Sequence, residues 1–562
     1  MTKRFFLFLL FLTAINFFPK EPINIFPLKK IKEGSIAKGY TVLKGEEITE
    51  FEAEIIGVQK MGLSNADMII CKLKGKPFDQ SGVIAAMSGS PLFIEDKFLG
   101  AIAVTWIFAK DPLCAATPAE NMIQLFTKQV STSSSPSPLQ TISLSDFLEN
   151  ISKLDFSFNK FMEPFEEKNF SFVESEQIPF SEQAEIKEGG MIGIQLVSGD
   201  LNLTAYGTVS SVKDNKFLAF GHPLLGLGEV DFPVVTAKVS TVMPSNVLSF
   251  KISSPKEEIG RMILDTPYGI LCEKGVKADT IPLEISFTNS DGITSNKEVK
   301  IVRHSKLAKT LFFLSIFQIC ELLENNKGGY HLKLETSEFL FENDETLDLK
   351  KQFFGGEDPS ISLSSFLSEI FSLLTSNPFK KQKINKIKLK ITSEKGKSQG
   401  NLIEIKSNRN EVKKGEKIEI DALFQSFEKD VFNFRFSIPS DNLPNQKIKV
   451  VVGDSLSLYK RVLKSINYIP DSFESLIEVL KNFLEGGYVF CALFSDEDPI
   501  LIGNKRLYSL PLTIKNSIPS SLENTNSKSS EKIYLKPLQV FESGYFTSEL
   551  ELTIEIKERE EK

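Results

Sequence analysis

Two stretches of the chain, residues 33–128 and 188–290, consist of short segments in which apolar and polar residues alternate between glycines and polar turns. Examples are EFEAEIIGV and DMIICKL in the first stretch, and MIGIQLV and KFLAF in the second. Alternation with a period of two is typical of half-buried β-strands. Each stretch is therefore predicted to be a block of β-strands, and the protein is predicted to be mainly β.

The rest of the 562 residues changes in composition along the chain, and roughly three to five domains are expected at this length. Residues 129–187 contain the segment STSSSPSP near their start and are predicted to be a linker. Helical periodicity occupies 307–325 and 362–374, whereas residues 402–426 have strand patterning. The predicted modules are an α+β region at 300–390, a β-sandwich-like module at 391–460 and an α+β C-terminal module at 461–562.

The N-terminus pairs two basic residues, Lys3 and Arg4, with an apolar run from Phe5 to Phe18. This pattern is typical of a signal peptide and is too short for an ordinary membrane-spanning helix. Residues 1–18 are predicted to be a signal peptide or an uncleaved N-terminal anchor, with a buried apolar segment as the alternative. We therefore expect an exported protein of the periplasm or cell envelope, with membrane anchoring by this segment left open.

The net charge and the counts of cysteine and histidine argue against two classes of function, nucleic-acid binding and metal binding. The chain has 66 basic and 73 acidic residues, a net charge of −7, and no long basic run, which argues against nucleic acid as a partner. Its five cysteines are scattered and it has only three histidines. Neither a metal site nor a cofactor is expected. The cysteines are expected to be mostly buried apolar residues, with a single disulfide left open.

Residues 85–103, AAMSGSPLFIEDKFLGAIA, combine a tight turn with a β-hairpin. Ser88 on such a turn is either an ordinary turn residue or an exposed nucleophile. In the second case the backbone N–H groups of Ala86 and Ser88 are the expected oxyanion donors, because they lie on the same turn. Ser90 is a weaker candidate because Pro91 follows it.

A serine nucleophile needs a base, and His222 is the best placed of the three histidines. It lies at the end of the predicted strand in KFLAFGHPLLGLG, between Gly221 and Pro223, which fix the backbone. His304 and His331 lie outside both β blocks. A structural or surface role is the alternative for His222.

These segments resemble the SpoIVB peptidase family, serine peptidases with a chymotrypsin-like relation. VIAAMSGSPLFIEDKFLGAIAVTW resembles the family's nucleophile segment, and KFLAFGHPLLGLG its strand ending in Gly-His. The resemblance covers roughly residues 33–127 and 188–285. It implies that Ser88 is the nucleophile and His222 the base. It also implies two trypsin-like β-barrel blocks, followed here by α+β and β-sandwich (Ig-like) modules.

The chain departs from the family pattern at three points. The serine motif precedes the histidine motif, as in long exported bacterial relatives, and a triad tolerates any chain order. Ala86 replaces the family's glycine, which penalises a positive φ. The position of the family's acid falls near Leu73. Asp67 is the acid we favour, Asp79 and Asp111 being the other nearby carboxylates, and a Ser88–His222 dyad without an acid is the alternative.

The sequence thus favours an exported serine endopeptidase-like protein that cleaves envelope proteins or itself. The alternative is a non-catalytic envelope scaffold or binding protein on a degenerate peptidase fold. The two hypotheses differ in whether Ser88 and His222 come together in space.

Overall fold

In the computed structural model, the N-terminal segment 1–22 and most of the predicted linker lie outside the described residues. No helix among the described residues is long and apolar enough to cross a membrane. The structure describes residues 23–61, 66–106, 108–128, 172–325, 329–355, 358–377, 379, 382–396, 399–426, 430–441, 443, 446–455, 457–459, 461, 470, 472–482, 485–486, 488–495, 500–502, 505–507, 534–538, 545–546 and 549–558.

The first β block is a closed six-stranded barrel with the strand order β1-β2-β3-β7-β6-β5. Alternate side chains of its strands, such as Ile69, Cys71 and Leu73, fill the interior. Two short helices, α1 (Phe78–Ser81) and α2 (Ala119–Met122), flank it. The strands are β1 (Ile36–Lys44), β2 (Glu47–Met61), β3 (Ala66–Lys74), β4 (Ile84–Ala85, outside the ring), β5 (Pro91–Ile94), β6 (Lys97–Thr105) and β7 (Leu113–Pro118).

The second β block also closes into a ring of six strands. Its β9 pairs with β10 along one edge and with β12 along the other, which completes the order β9-β12-β13-β14-β11-β10. The prediction of a mainly β protein is confirmed. The strands are β8 (Phe172–Glu174, paired with β10 outside the ring), β9 (Met191–Gly199), β10 (Leu201–Lys213), β11 (Lys216–Ala219), β12 (Gly228–Met243), β13 (Ser249–Thr266) and β14 (Gly269–Lys274).

The second barrel continues into a larger sheet, because the far end of β9 pairs with β16. The boundary predicted at residue 290 falls inside the β15–β16 hairpin, and the one at 390 falls inside β20, so neither separates domains. Parallel pairing of β15 with β20 joins the predicted α+β region to the barrel. The added strands are β15 (Thr280–Thr288), β16 (Thr294–Val302), β17 (Tyr330–Phe341), β18 (Thr346–Asp348), β19 (Gln352–Phe354) and β20 (Ile384–Lys395).

Two apolar helices, α3 (Ala308–Leu323) and α4 (Pro359–Thr375), pack on this sheet, as the periodicity predicts. Asp358 caps α4 by accepting the N–H of Ile361, and proline at the first helical position suits a helix start. Phe312 of α3 stacks on Phe371 of α4 with ring centroids 4.9 Å apart. The helices and the second barrel therefore share one core.

The C-terminal part is a β-sandwich of two sheets, ordered β24-β23-β21-β30 and β22-β31-β25-β26-β29. Its core spans the boundary predicted at 460, so the last two predicted modules form one sandwich. The helix α5 (Phe473–Lys481), capped by Ser472, packs on the core of the large sheet instead. The strands are β21 (Gln399–Ser407), β22 (Glu411–Lys413), β23 (Lys417–Ser426), β24 (Val431–Pro439), β25 (Lys447–Asp454), β26 (Val489–Ser495), β27 (Ile500–Ile502), β28 (Lys505–Leu507), β29 (Tyr534–Leu538), β30 (Tyr545–Phe546) and β31 (Glu549–Lys557).

The two barrels contact each other directly. Gly45 and Val239 exchange two backbone hydrogen bonds of 2.7 and 2.9 Å between the first and second barrel. The short strand β4 pairs in parallel with the start of β13. The turn that follows β4 therefore lies at the junction of the barrels.

Candidate active site

The Ser88 turn connects β4 to β5 and is closed by its own hydrogen bonds. The N–H of Met87 donates to the carbonyl of Ile84 at 3.1 Å, and the N–H of Ser90 to that of Met87 at 2.9 Å. Ala86 has φ +69°, a conformation that costs a residue with a Cβ roughly 1–2 kcal/mol. The turn thus has a positive φ at an alanine, the conformation that is unfavourable for a residue with a Cβ.

The turn lies against β10 of the second barrel. The N–H of Thr208 donates to the carbonyl of Ser88, and the hydroxyl of Ser210 donates to that of Gly89, both at 2.8 Å. The Thr208 hydroxyl also donates to the carbonyl of Ala86 at 3.2 Å. A Cβ at Gly89 would lie 2.0 Å from the carbonyl oxygen of Thr208, so only glycine fits there.

Ser88 and Ser90 differ in their access to solvent. Ser88 is half-buried, whereas Ser90 is fully buried and its hydroxyl has no partner among the described residues. Within the described residues, the N–H of Ser88 also has no acceptor, while the N–H groups of Met87 and Gly89 on either side are bonded. Of the two serines, Ser88 therefore has the exposure and the available donor that a nucleophile needs.

His222 follows two residues with positive φ, Phe220 at +68° and Gly221 at +67°. The hydroxyl of Thr117, on β7 of the first barrel, donates to the carbonyl of Gly221 at 2.5 Å. The Phe220 ring is buried over Gly207 and lies 5.8 Å from the His222 ring, centroid to centroid. The end of this strand is therefore fixed by contacts from both barrels.

The His222 ring is half-buried and has an acceptor at one nitrogen. Its Nδ1 lies 2.7 Å from the carbonyl oxygen of Pro223, a distance at which an N–H donates. A proton on Nδ1 leaves the lone pair of the neutral imidazole on Nε2. This is the tautomer that a general base needs.

One backbone carbonyl, that of Ile102 on β6, contacts both segments. The N–H of Gly89 donates to it at 2.6 Å, and a Cβ on Gly221 would lie 2.9 Å from it. Each of these glycines is the sequence neighbour of a predicted catalytic residue, Ser88 or His222. The structure thus brings together two segments that are far apart in the sequence.

Asp265 is a site residue that sequence reasoning missed. It is 2% exposed at the end of β13, and its carboxylate accepts the N–H groups of Leu224, Leu225 and Leu227 at 2.8, 2.8 and 3.1 Å. These residues form the loop directly after His222 and Pro223. The only signal in the sequence is an acidic residue after the short apolar run MIL, which does not indicate its partners.

Asp67, the predicted acid, lies on β3 opposite Lys60 in the register. Successive residues of a strand face opposite sides, so Asp67 shares a side with Ile69 in the first barrel's interior. Its neighbour Met68 faces outward, where its sulfur lies 3.8 Å from the hydroxyl oxygen of Thr117. It is thus Met68, and not Asp67, that faces the residue bonded to the His222 segment, and the acid role of Asp67 stays a prediction.

The other carboxylates and histidines have ordinary structural settings. Asp111 forms an exposed ion pair of 2.7 Å with Lys72, and Asp79 lies on α1. His331 lies 3.0 Å from a carboxylate oxygen of Glu394 on the large sheet. The ring of His304 packs edge-on against Phe232, and its pKa is lowered by burial.

Metal-binding clusters are absent from the part of the chain that the structure describes. All five cysteines are buried and free, as expected for apolar packing residues. Cys71 and Cys114 face each other across β3 and β7, and their mutual hydrogen bond raises the pKa of Cys114.

Residues 11–123 match the family model of the SpoIVB peptidases, S55. The match contains the Ser88 turn and ends before His222, and it confirms the resemblance over this segment. It supports a serine peptidase-like function in general terms. No curated protein and no solved structure matches the chain.

Proposed function

We propose that the protein is an exported serine endopeptidase in which Ser88 is the nucleophile and His222 the general base. Its substrate would be another protein of the cell envelope, or the chain itself. The observation that carries this proposal is the convergence of Gly89 and Gly221 on the carbonyl of Ile102. Two independent segments of the chain, one from each barrel, supply the hydroxyl and the imidazole.

The proposed reaction begins when the Ser88 hydroxyl attacks the carbonyl carbon of a peptide bond. Nε2 of His222 takes the hydroxyl proton and passes it to the leaving amine. The N–H of Ser88, with that of Ala86, would donate to the oxyanion. Water then hydrolyses the acyl-enzyme, with His222 acting again as base, and Ser88 regains its proton.

Orientation of the imidazole does not require a carboxylate in this arrangement. The carbonyl of Pro223 accepts from Nδ1 of His222, the nitrogen that a triad acid holds in other serine peptidases. Asp265 in turn fixes the loop beyond Pro223 through three backbone N–H groups. A Ser88–His222 dyad supported by backbone groups is therefore the form of the site that we favour.

The experiment that tests this proposal is labelling with a fluorophosphonate probe, which forms a covalent adduct with an activated serine. We would compare the full-length wild type with Ser88→Ala and His222→Ala, checking each fold by circular dichroism. Ser245→Ala, an exposed serine, and His304→Ala are the matched controls. Loss of labelling in the first two variants only is the expected result.

Absence of labelling in the folded wild type would overturn the peptidase proposal and favour the non-catalytic scaffold. Equal labelling of wild type and His222→Ala would remove His222 from the mechanism. If labelling is as expected, intact-mass analysis over time tests self-cleavage, which Ser88→Ala must abolish.

Export and anchoring are tested separately. Alkaline extraction of membranes from cells that express the full chain releases a protein whose residues 1–18 have been cleaved and retains one that they anchor. Recovery in the cytoplasmic fraction at full mass would contradict export.

A further inference from the structure

Lys251 is a buried lysine at the junction of the two barrels. It lies on β13, is 6% exposed, and forms no ion pair with any described carboxylate. Lysine is almost never fully buried unless it is paired, because removing its charge from water is costly. A role beyond packing is therefore needed to explain this residue.

The Lys251 amine contacts three acceptors on three different segments. Its Nζ donates to the hydroxyl oxygen of Thr41 at 2.8 Å, to the carbonyl of Ala86 at 3.2 Å and to the sulfur of Met191 at 3.8 Å. Thr41 belongs to the first barrel and Met191 to the second. The three acceptors match the three N–H donors of an ammonium group.

Of the three acceptors, the carbonyl of Ala86 is the one that bears on the proposed reaction. It has φ +69° and lies two residues before Ser88. Its carbonyl accepts from both Lys251 and Thr208, and both donors come from the second barrel. A strained backbone persists only when its surroundings hold it, and these two hydrogen bonds do so.

We propose that Lys251 is a positioning residue for the nucleophile: its amine holds the carbonyl of Ala86 and so fixes the turn that presents Ser88. The inference rests on the proposed function, since it concerns the same site. It assigns Lys251 no contact with substrate.

The hydrogen bond from Lys251 to the carbonyl of Ala86 should depend on pH, because the amine is buried among apolar side chains. Burial lowers the pKa of Lys251 to about 7. Among the described residues of the apolar cluster around Met191 and Ala86, Tyr206 is titratable, and burial raises its pKa far above neutral. The other members of that cluster are Val42, Ile48, Ala237 and Val239.

Loss of the proton weakens the hydrogen bond to Ala86, because charge-assisted bonds are roughly twice as strong as neutral ones. The rate of the probe reaction should therefore fall above a pH of about 7 as Lys251 loses its proton. This fall is the alkaline limb of the pH profile.

The test measures the rate of fluorophosphonate labelling from pH 5.5 to 9 in three full-length variants. Lys251→Met removes every donor at similar size, and Lys251→Gln keeps neutral N–H donors. Lys238→Met, which replaces an exposed lysine on the same hairpin, is the control. We expect Lys251→Met to label about 10- to 100-fold more slowly at pH 7, Lys251→Gln to be intermediate, and both to lack the alkaline limb.

Hydrogen–deuterium exchange gives a readout that does not need activity. The Gly89 and Ser90 amides, bonded to Ile102 and Met87, should exchange faster in Lys251→Met and not in Lys238→Met. If the wild type does not label, the proposed function fails and exchange alone decides the role of Lys251. The positioning role would be overturned if the Gly89 and Ser90 amides exchanged at the wild-type rate in Lys251→Met. It would also be overturned if a Lys251 variant labelled at the wild-type rate with the same alkaline limb. If neither Lys251 variant folds, a wild-type labelling profile without an alkaline limb would overturn it.

Discussion

The Ser88 turn and the His222 turn each contain a non-glycine residue in an unfavourable backbone conformation, and the two residues are held in different ways. Each contains a residue with a Cβ in the left-handed region, Ala86 at +69° and Phe220 at +68°. The carbonyl of Ala86 is held by side chains of the opposite barrel, whereas Phe220 is held by burying its own ring over Gly207. The serine turn therefore depends on side chains of the opposite barrel, whereas the histidine turn combines a ring buried in its own barrel with one hydrogen bond from Thr117 of the first barrel.

The largest expected effect comes from filling the space at Gly89. Gly89→Ala places a Cβ 2.0 Å from the carbonyl oxygen of Thr208, which must push the serine turn off the second barrel. We expect labelling to be lost and the free energy of unfolding to fall by about 3 kcal/mol. Gly292→Ala is the control, because Gly292, in the β15–β16 turn away from the site, also has a positive φ but no atom within 4 Å of its Cβ position. Equal effects in urea unfolding would contradict the account.

Removing the carboxylate of Asp265 tests the support that the loop after His222 receives from its own barrel. Asp265→Ala leaves three backbone N–H groups of the His222 loop without their acceptor. Loss of charge-assisted bonds at a buried site should cost about 2–3 kcal/mol of unfolding free energy. Asp111→Ala, which removes an exposed ion pair, should cost under about 1 kcal/mol. A similar loss in both variants would show that the loop does not need Asp265.

Glycine at the two strained positions should act in opposite directions. Ala86→Gly relieves strain at the cost of chain entropy, for a net gain of about 0.5 kcal/mol. Phe220→Gly relieves the same strain but removes a buried ring, for a net loss of about 2 kcal/mol or more. Thermal unfolding of both variants measures the difference. Destabilisation by Ala86→Gly equal to that of Phe220→Gly would contradict the two modes of support.

A further effect is expected on the pH dependence of stability. Unfolded Lys251 stays protonated up to its ordinary pKa of about 10.4, whereas burial lowers the folded pKa to about 7. The unfolded state therefore binds more protons between these values, and wild-type stability should rise with pH across this window relative to Lys251→Met. Melting temperatures at pH 7 and 9.5 check this. A difference between the two proteins that does not change with pH would contradict the burial of the amine.

Strand patterning predicted the fold where local sequence decides it. Alternation located the strands of both barrels, and helical periodicity at 307–325 and 362–374 located α3 and α4. Pairing between distant strands has no local signal. The parallel contact of β15 with β20, and the sharing of one β9 edge between β12 and β16, therefore could not be predicted, and the domain boundaries at 290 and 390 failed for that reason.

The residues of the site also divide into those that local sequence indicates and those that only the folded structure shows. Turn chemistry at SGSP and Gly-His identified Ser88 and His222, since nucleophile and base types are visible in the sequence. Lys251 and Asp265 could not be found, because their partners are backbone groups of segments far away in the chain. Backbone acceptors and donors exist at every residue, so only the folded structure shows which of them a side chain meets.

The most direct test of the central claim is to locate the adduct of the fluorophosphonate probe by tandem mass spectrometry of the labelled full-length protein. We expect one adduct, on Ser88, with Ser90 unmodified and no adduct in His222→Ala. An adduct on another serine, or one on Ser88 that forms equally fast without His222, would contradict a site assembled from the two barrels.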